Sequence, residues 1–277
     1  MDLIEWRARP ELEEGAAILA FEGWGDASTA ASTAGEFLIR EVAEPFASID
    51  PESFFDFQMQ RPTVQIDGGG TRRVIWPGVE FHLAHFFGKE LIVVLGEEPH
   101  LRWRTFATVV LDALRSCGVS FVLTFGAFIG RVAHTLPVPI FGVATDTDLI
   151  ERHGLLVSDY QGPTGIVGTL HDKARRGGIP ALSLWAAVPH YLAANHNPKV
   201  SYALLEKASE VLDLDLDLSD LEHEVENFER RVNEAMKESE DLLTYIRQLE
   251  VEGSQPAMNP QSTDELITEI EQFLKDT

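Results

Sequence analysis

Residues 16–28 decide the fold, and they read AAILAFEGWGDAS. An apolar run stops at an acidic, aromatic and glycine-containing turn, after which the sequence becomes alanine-rich. This pattern predicts a buried strand that carries Glu22, Trp24 and Asp26 to the rim of a sheet, followed by a helix capped by Asp26 or Ser28. Ligand clefts of open α/β sheets form where strands end. The three side chains at the rim are therefore candidate site residues.

Further buried-strand signals recur along the chain, with helical patterns between several of them. Strands that alternate with helices predict a largely parallel sheet covered on both faces. Two other segments, Phe54–Gln60 and Arg72–Trp76, flank the glycine-rich turn Asp67–Gly70, so we expect an antiparallel hairpin added to the edge of that sheet. The buried-strand signals are Ile18–Glu22, Leu91–Gly96, Val119–Gly126, Ile140–Thr145 and Leu182–Ala187.

The composition is that of a globular protein with an acidic C-terminal part. The net charge is −23 at pH 7, and residues 201–277 hold 21 acidic against 6 basic residues. A nucleic acid partner is not expected, because a phosphate backbone needs a surface of lysine and arginine. The apolar runs are shorter than the roughly 20 residues that span a bilayer, so we expect a cytoplasmic protein without a membrane helix. The single Cys117 excludes an internal disulfide and is expected to be a small core thiol.

The C-terminal third carries a heptad pattern that predicts one long amphipathic helix. A narrow apolar stripe needs a helical partner; we expect one within the chain, with a second subunit as the alternative. We divide the chain into an α/β core domain, residues 1–198, and an acidic helical extension, residues 199–277, with a mobile linker at 252–262. Ser239 is the polar member of the seam, whose main apolar members are Leu221, Val225, Phe228, Val232, Leu242, Ile246 and Leu249.

Four further loops near the strand ends supply the remaining candidate residues. Carboxylates and guanidiniums beside indole rings suit either a polar ligand or a structural ion-pair network. A single histidine without a placed acid or nucleophile is weak evidence for general base catalysis and favours a structural role. The glycines before residue 166 predict a helix start whose amides suit an anion, or a tight loop. The candidates are Glu97, Arg102, Arg104, His134, Asp146, Tyr160, Gly162, Thr164, Gly165 and His190.

Several catalytic motifs are absent from the sequence. There is no GxGxxG after a strand, no GxSxG, no HExxH and no dense set of metal-ligating side chains. These absences argue against nicotinamide chemistry, ordinary serine hydrolysis and zinc proteolysis. We therefore predict no cofactor and no metal.

Five motifs, in their order and spacing, resemble the actinobacterial, proteasome assembly chaperone 2-like branch of the proteasome assembly chaperone family over roughly residues 15–275. The resemblance implies a three-layer α/β/α core like that of nucleoside phosphorylases and peptidyl-tRNA hydrolases, with a helical C-terminal extension. It also implies a homo-oligomer, for which we expect a trimer. The motifs are FEGWGDA at 21–27, GEEP at 96–99 with RWR at 102–104, HTLPVP at 134–139, YQGPTGI at 160–166 and SLWAAVPHY at 183–191.

Two features depart from the family pattern. Gly25 stands where this branch commonly has asparagine, so a role built on that amide is not expected here. Residues 271–277, EQFLKDT, lack the hydrophobic-tyrosine-X ending that inserts into proteasome pockets. Docking through such a tail is therefore not expected.

The resemblance carries a functional expectation. Eukaryotic relatives are non-enzymatic chaperones that hold proteasome α subunits, so the leading hypothesis is a non-catalytic protein-binding or assembly factor with a protein partner related to the proteasome. The alternative is a small-ligand-binding protein or a phosphorylase- or hydrolase-like enzyme that uses the cleft at the strand carboxyl ends. A third hypothesis is architectural, in which the seam assembles an oligomer and the loops shape it.

Overall fold

The computed structural model describes residues 3–42, 44–194, 196–237 and 240–251. Its helices are α1 (Ala30–Ile39), α2 (Trp103–Ser116), α3 (Asp148–Arg152), α4 (Ile166–Gly177), α5 (Pro198–Leu212), α6 (Ser219–Met236) and α7 (Glu240–Val251). Its strands are β1 (Ile4–Trp6), β2 (Gly15–Glu22), β3 (Ala47–Ile49), β4 (Thr63–Ile66), β5 (Arg72–Ile75), β6 (Val79–Phe86), β7 (Lys89–Glu97), β8 (Val119–Gly130), β9 (Ile140–Ala144), β10 (Leu156–Val157) and β11 (Ala181–Pro189). Nine of these strands form one sheet in the order β1-β3-β6-β7-β2-β8-β11-β9-β10.

The four central strands, β7, β2, β8 and β11, run parallel, which confirms the predicted parallel centre of the sheet. In register, Glu22 of β2 lies opposite Glu97 of β7, and Gly126 of β8 lies opposite Trp185 of β11. The carboxyl ends of the four strands therefore meet at one edge of the sheet. We call this the strand-end edge.

The outer strands differ from the expectation of a parallel sheet. β9 runs antiparallel to β11, and β6 runs antiparallel to β7. Residues 131–139, between β8 and β9, contain no helix, so the chain folds back beside the sheet instead of crossing over it. As a result β9 ends at the edge opposite the strand-end edge.

Helices cover both faces of the sheet and confirm the three-layer α/β/α core. Side chains alternate along β2, so that Ile18 packs with α1 and α5 on one face while Leu19 packs with α2 and α4 on the other. Helix α5 follows the predicted domain boundary at residue 198, yet its apolar face is buried against the sheet as part of this core. Cys117 is a buried free thiol between α2 and β8, and burial raises its pKa.

The prediction of an edge hairpin was wrong about the first strand and about the pairing of the hairpin with the main sheet. β4 and β5 pair antiparallel with each other as a separate two-stranded ladder. The segment Phe54–Gln60 is not a strand, because Phe54 and Phe55 are buried in the core and the Asp56 carbonyl accepts the amides of the two residues Met59 and Gln60 in a turn. The predicted glycine-rich turn does join β4 to β5.

The predicted single long helix is two helices, α6 and α7. Their apolar seam packs within the chain: Phe228, Val232, Ile246 and Leu249 form one cluster with Ala133, Tyr191, Leu192 and Met236, and Leu242 packs against it. Leu221 joins the cluster beneath α1 and α5, and Val225 is half-buried. Because α6 ends at Met236 and α7 begins at Glu240, both halves of the seam reach the same small cluster, which one continuous helix would extend past. Ser239 and the predicted linker lie outside the described residues.

The described helices were also compared with what a membrane span requires. None of them combines the length and the apolar character needed to cross a bilayer.

Candidate functional site

The strand-end edge brings together the loops after β2, β7, β8 and β11 and the start of α4. The loop after β2 is fixed to β8, because the Ala127 amide donates to the Gly25 carbonyl at 2.7 Å. Asp26 is bridged to the same strand. The predicted cleft residues Glu22, Trp24, Asp26 and Glu97 therefore do lie near one another, and each has a different environment.

Asp26, one of the two predicted capping residues, accepts the first amides of α1 with its side chain, although Thr29 is the residue at the N-cap position. The Asp26 side chain is 8% exposed, and its Oδ1 accepts the amides of Ala31 at 2.7 Å and Ser32 at 3.2 Å. Its Oδ2 accepts the Ser32 hydroxyl at 2.5 Å. Burial raises the pKa of Asp26, and these hydrogen bonds oppose the rise. The carboxylate is thus committed to positioning α1 rather than open to a ligand.

Glu97 holds the segment that leads into β6. Its Oε2 accepts the Gly78 amide at 2.7 Å, and its Oε1 accepts from the Gln60 side chain at 3.2 Å. Glu22 lies beside it in register. Burial, and then the nearby negative charges of Glu97, Asp26 and Glu36, raise the pKa of Glu22.

Glu98 joins two elements of the edge, and sequence reasoning did not select it. Its Oε1 accepts the Ile166 amide at the start of α4 at 2.6 Å, and its Oε2 accepts the Trp24 amide at 3.3 Å. A Cβ at Gly23 or Gly165 would lie 2.9 or 2.7 Å from Glu98 atoms, so both glycines make room for it. In the sequence Glu98 is one of two adjacent glutamates in the motif GEEP. That motif does not indicate which of the two bonds to the start of α4.

The predicted anion site at the start of α4 is therefore occupied by a carboxylate of the chain itself. Gly165 is the N-cap residue, and Thr164 does not cap the helix. Thr164 instead lines the pocket described below. The Tyr160 hydroxyl donates to the Pro163 carbonyl at 2.9 Å, and Gly162 lies against that hydroxyl. The alternative of a tight loop fits this segment better than a phosphate site.

The two candidate arginines are on the outer surface of the edge. Arg102 is the N-cap residue of α2 in a left-handed conformation, and its guanidinium lies 5.6 Å from the centre of the Phe54 ring. Arg104 is exposed and, within the part of the chain that the structure describes, makes no ion pair with Glu97. The expected mixed network of carboxylates and guanidiniums is thus not formed at this edge.

An apolar pocket of about 340 Å³ opens at the strand-end edge. Trp185 is 8% exposed and packs beneath Gly25 and Gly126; a Cβ at Gly126 would lie 2.5 Å from the indole. Trp24 is 53% exposed at the pocket. Trp185 is therefore both a core residue and part of a ligand-accessible wall. We call this the aromatic pocket, and its lining is Trp24, Ala27, Ala127, Phe128, Ile129, Val143, Ser158, Tyr160, Thr164 and Trp185.

The two candidate histidines lie at the contact between the core and the helices α6 and α7. The Tyr191 hydroxyl is 2.8 Å from His134 Nδ1, and Asn233 Oδ1 is 3.3 Å from His134 Nε2. His190 Nε2 is 3.2 Å from the Tyr245 hydroxyl. Burial lowers the pKa of both histidines and raises the pKa of Tyr191. They join the helical extension to the core and do not line the aromatic pocket.

Asp146 is also not in the cleft, which corrects its selection from the sequence. It follows β9, whose antiparallel course places the Thr145 amide against the Ala181 carbonyl at the start of β11. Asp146 Oδ1 accepts the Asp148 amide at 3.1 Å and so belongs to the turn before α3. Strand direction, which the local sequence does not encode, decided this placement.

The carboxylates of the strand-end edge and the lining of the aromatic pocket differ in chemical character. The carboxylates of Asp26, Glu97 and Glu98 accept backbone amides, whereas the aromatic pocket, within the residues that the structure describes, is lined by aromatic, aliphatic and hydroxyl side chains and by no carboxylate. Among the described residues, no three His, Cys, Asp or Glu side chains are arranged to hold a metal ion.

The comparisons with known proteins agree on a family. A model of the PAC2 family matches residues 20–236. A PAC2 family protein from Streptomyces avermitilis is 39% identical, with a TM-score of 0.78, over 83% of this chain and 99% of that one. A proteasome-assembly chaperone homologue from Mycobacterium tuberculosis is 36% identical, with a TM-score of 0.77, over 83% and 99%. The comparison with curated proteins found no match.

A more distant neighbour shares the fold. An archaeal proteasome activator from Pyrococcus furiosus is 18% identical, with a TM-score of 0.66, and the match covers 83% of this chain and 97% of that one. The family match spans the strand-end edge, the aromatic pocket and α6. The resemblance inferred from the motifs is confirmed, and the chain belongs to the PAC2 family.

Proposed function

We propose that this chain is a non-catalytic protein-binding factor that assists the assembly of a protein complex, with proteasome subunits as its partner class. The M. tuberculosis relative is described as a proteasome-assembly chaperone homologue, which supports the class of function. The observation that carries the proposal to a site is the aromatic pocket at the strand-end edge.

The aromatic pocket has the character of a protein-recognition site. Energetically dominant interface residues are enriched in tryptophan and tyrosine and cluster around well-packed pockets. Here Trp24 is half-exposed beside a cavity of about 340 Å³ that an apolar side chain of a partner can enter. The Glu98 bonds to the backbone amides of Trp24 and Ile166 hold the two segments beside the pocket in place, which reduces the backbone ordering required when a partner docks.

Three of the four carboxylates of the edge, all except Glu22, favour this proposal over the small-ligand enzyme. General acid–base chemistry needs a group within reach of the substrate and free to exchange a proton. Asp26, Glu97 and Glu98 instead accept two or more hydrogen bonds each from the protein. Their place in the fold accounts for them without a reaction.

The test is the affinity of the purified chain for purified proteasome α subunits of the same organism, measured by biolayer interferometry. We expect saturable binding by the wild type. Trp24→Ala removes a central aromatic contact and should cost about 2 kcal/mol or more, a roughly thirtyfold rise in Kd. Phe87→Ala is the matched control, because Phe87 is 93% exposed in the turn between β6 and β7, far from the strand-end edge.

Two results would count against the proposal. If the wild type does not bind, proteasome α subunits are not its partners. If Trp24→Ala and Phe87→Ala bind with equal affinity, the aromatic pocket is not the binding site. We also propose that the protein is a cytoplasmic homo-oligomer, which the resemblance suggests is a trimer. The native mass of the free chain tests the oligomeric state.

A further inference from the structure

A second cavity, of about 310 Å³, lies on the α1 face of the sheet, on the other side of the loop after β2. It is separate from the aromatic pocket and shares no lining residue with it. We call it the acidic cavity, and its side chains with polar or aromatic character are Glu22, Ser32, Glu36, Glu80, Glu97, His82 and Trp76.

The acidic cavity carries negative charge that its own walls do not neutralise. Its lining, as far as the chain is described, includes four glutamates and neither lysine nor arginine. Arg7 acts on Glu80 from outside the lining, and its guanidinium is paired with Glu44 at 2.6 Å. The raised pKa of Glu22 reflects burial first and then the neighbouring carboxylates. Such a site attracts a positive ligand.

His82 gives an independent sign that a hydrogen-bond donor is missing. It is 5% exposed and lines the cavity, and its Nε2 lies 3.4 Å from Glu80 Oε2. In the neutral ring the proton faces that carboxylate and Nδ1 is an acceptor, for which the described residues supply no partner. Buried polar atoms in folded proteins are nearly always paired, so an unpaired one in a cavity wall indicates a donor that comes from elsewhere.

Trp76 shows what kind of cation fits. Its indole is 49% exposed, forms part of the cavity wall at the base of the β4–β5 hairpin, and is braced by Phe57 with ring centres 4.7 Å apart. Tryptophan faces attract ammonium and guanidinium groups. A metal ion needs oxygen ligands that converge to about 2.0–2.6 Å, and among the described residues no three His, Cys, Asp or Glu side chains are arranged in that way. An extended organic cation matches this lining.

We propose that the acidic cavity binds a primary amine or guanidinium group, paired in charge with Glu22 and Glu36 and stacked on Trp76. The cation has two possible sources, a free diamine-type metabolite or the basic side chain of a protein partner. Both present the same N–H donors to the carboxylates. This site goes beyond the assembly function proposed above, and it would persist if the aromatic pocket were found to bind nothing.

The test is isothermal titration of the full chain with agmatine and, separately, with the blocked tripeptide Gly-Arg-Gly, in about 0.15 M salt so that long-range attraction is screened. We expect saturable one-to-one binding of at least one probe. Glu36→Gln and Trp76→Leu, both at exposed positions, should each raise Kd about tenfold or more. Trp24→Ala should leave it unchanged, because Trp24 lines only the aromatic pocket.

A matched control separates a built site from general attraction to an acidic protein. Glu13→Gln removes an equal charge at an exposed position near the start of β2, outside the acidic cavity. If agmatine binds and Glu13→Gln does not weaken that binding, the cavity is a site for a small molecule. If only the tripeptide binds, the cavity is a site for a basic side chain of a protein partner. The proposal is overturned if neither probe binds, or if Glu13→Gln weakens binding as much as Glu36→Gln.

Discussion

Glu98 shows how one side chain can hold a site together. Alanine at this position would leave the Ile166 and Trp24 amides without their acceptor, so we expect the free energy of unfolding to fall by about 1–2 kcal/mol. Urea unfolding measures the loss, and Glu13→Ala, an exposed acid outside the edge, should change stability by less than about 0.5 kcal/mol. If Glu98→Ala were as stable as this control, the carboxylate could not be fixing the edge.

At the same scale, His134 and His190 make stability depend on pH. Burial lowers the pKa of both. For His134 the Asn233 hydrogen bond and then Glu229 and Glu250 oppose the fall, and Lys199 adds to it; for His190 the Gly130 backbone opposes the fall and Arg131 adds to it. The unfolded chain therefore takes up these protons at higher pH than the folded chain. The stabilisation from the neutral rings is complete above the ordinary pKa of about 6.5 and is lost as the pH falls below it.

His134→Gln tests this sign. Glutamine stays neutral, so the variant should lose less stability than the wild type when the pH drops from above 6.5 to well below it. Because Glu22 and Asp26 have raised pKa values and act in the opposite sense in acid, the informative quantity is the difference between the two proteins at each pH. Parallel curves of unfolding free energy against pH would show that His134 is not the titrating group.

At the scale of elements, the helices α6 and α7 depend on one small apolar cluster. Val232→Asp places a charge among Phe228, Met236 and Tyr191, so we expect both helices to leave the core while the α/β layers stay folded. Hydrogen exchange should then rise in α6 and α7 alone, with no change in native mass. Asn227→Asp adds the same charge on the exposed face of α6 and should behave like the wild type. A fall in mass specific to Val232→Asp would instead place the seam between subunits.

At the scale of the whole molecule, sequence patterns predict those features of the fold that depend on interactions between residues close together in the chain. The prediction that residues 16–28 form a buried strand followed by a capped helix is correct, because strand burial and helix capping depend on residues close together in the sequence. The position of Asp146 could not be predicted, since it depends on the direction of β9 in the sheet. The break between α6 and α7 depends on where their cluster lies in space. Likewise, only tertiary packing distinguishes Glu98 from Glu97.

The most direct measurement places a photo-cross-linking amino acid at position 24 and, in a second protein, at position 87, and identifies the cross-linked products by mass spectrometry after irradiation in the native cell. Trp24 borders the aromatic pocket, whereas Phe87 is more exposed and follows β6 at the far end of the sheet. Docking of a partner at the strand-end edge predicts a cross-link to a proteasome subunit from position 24 and none from position 87. Cross-links to that subunit from both positions alike, or from neither, would contradict it.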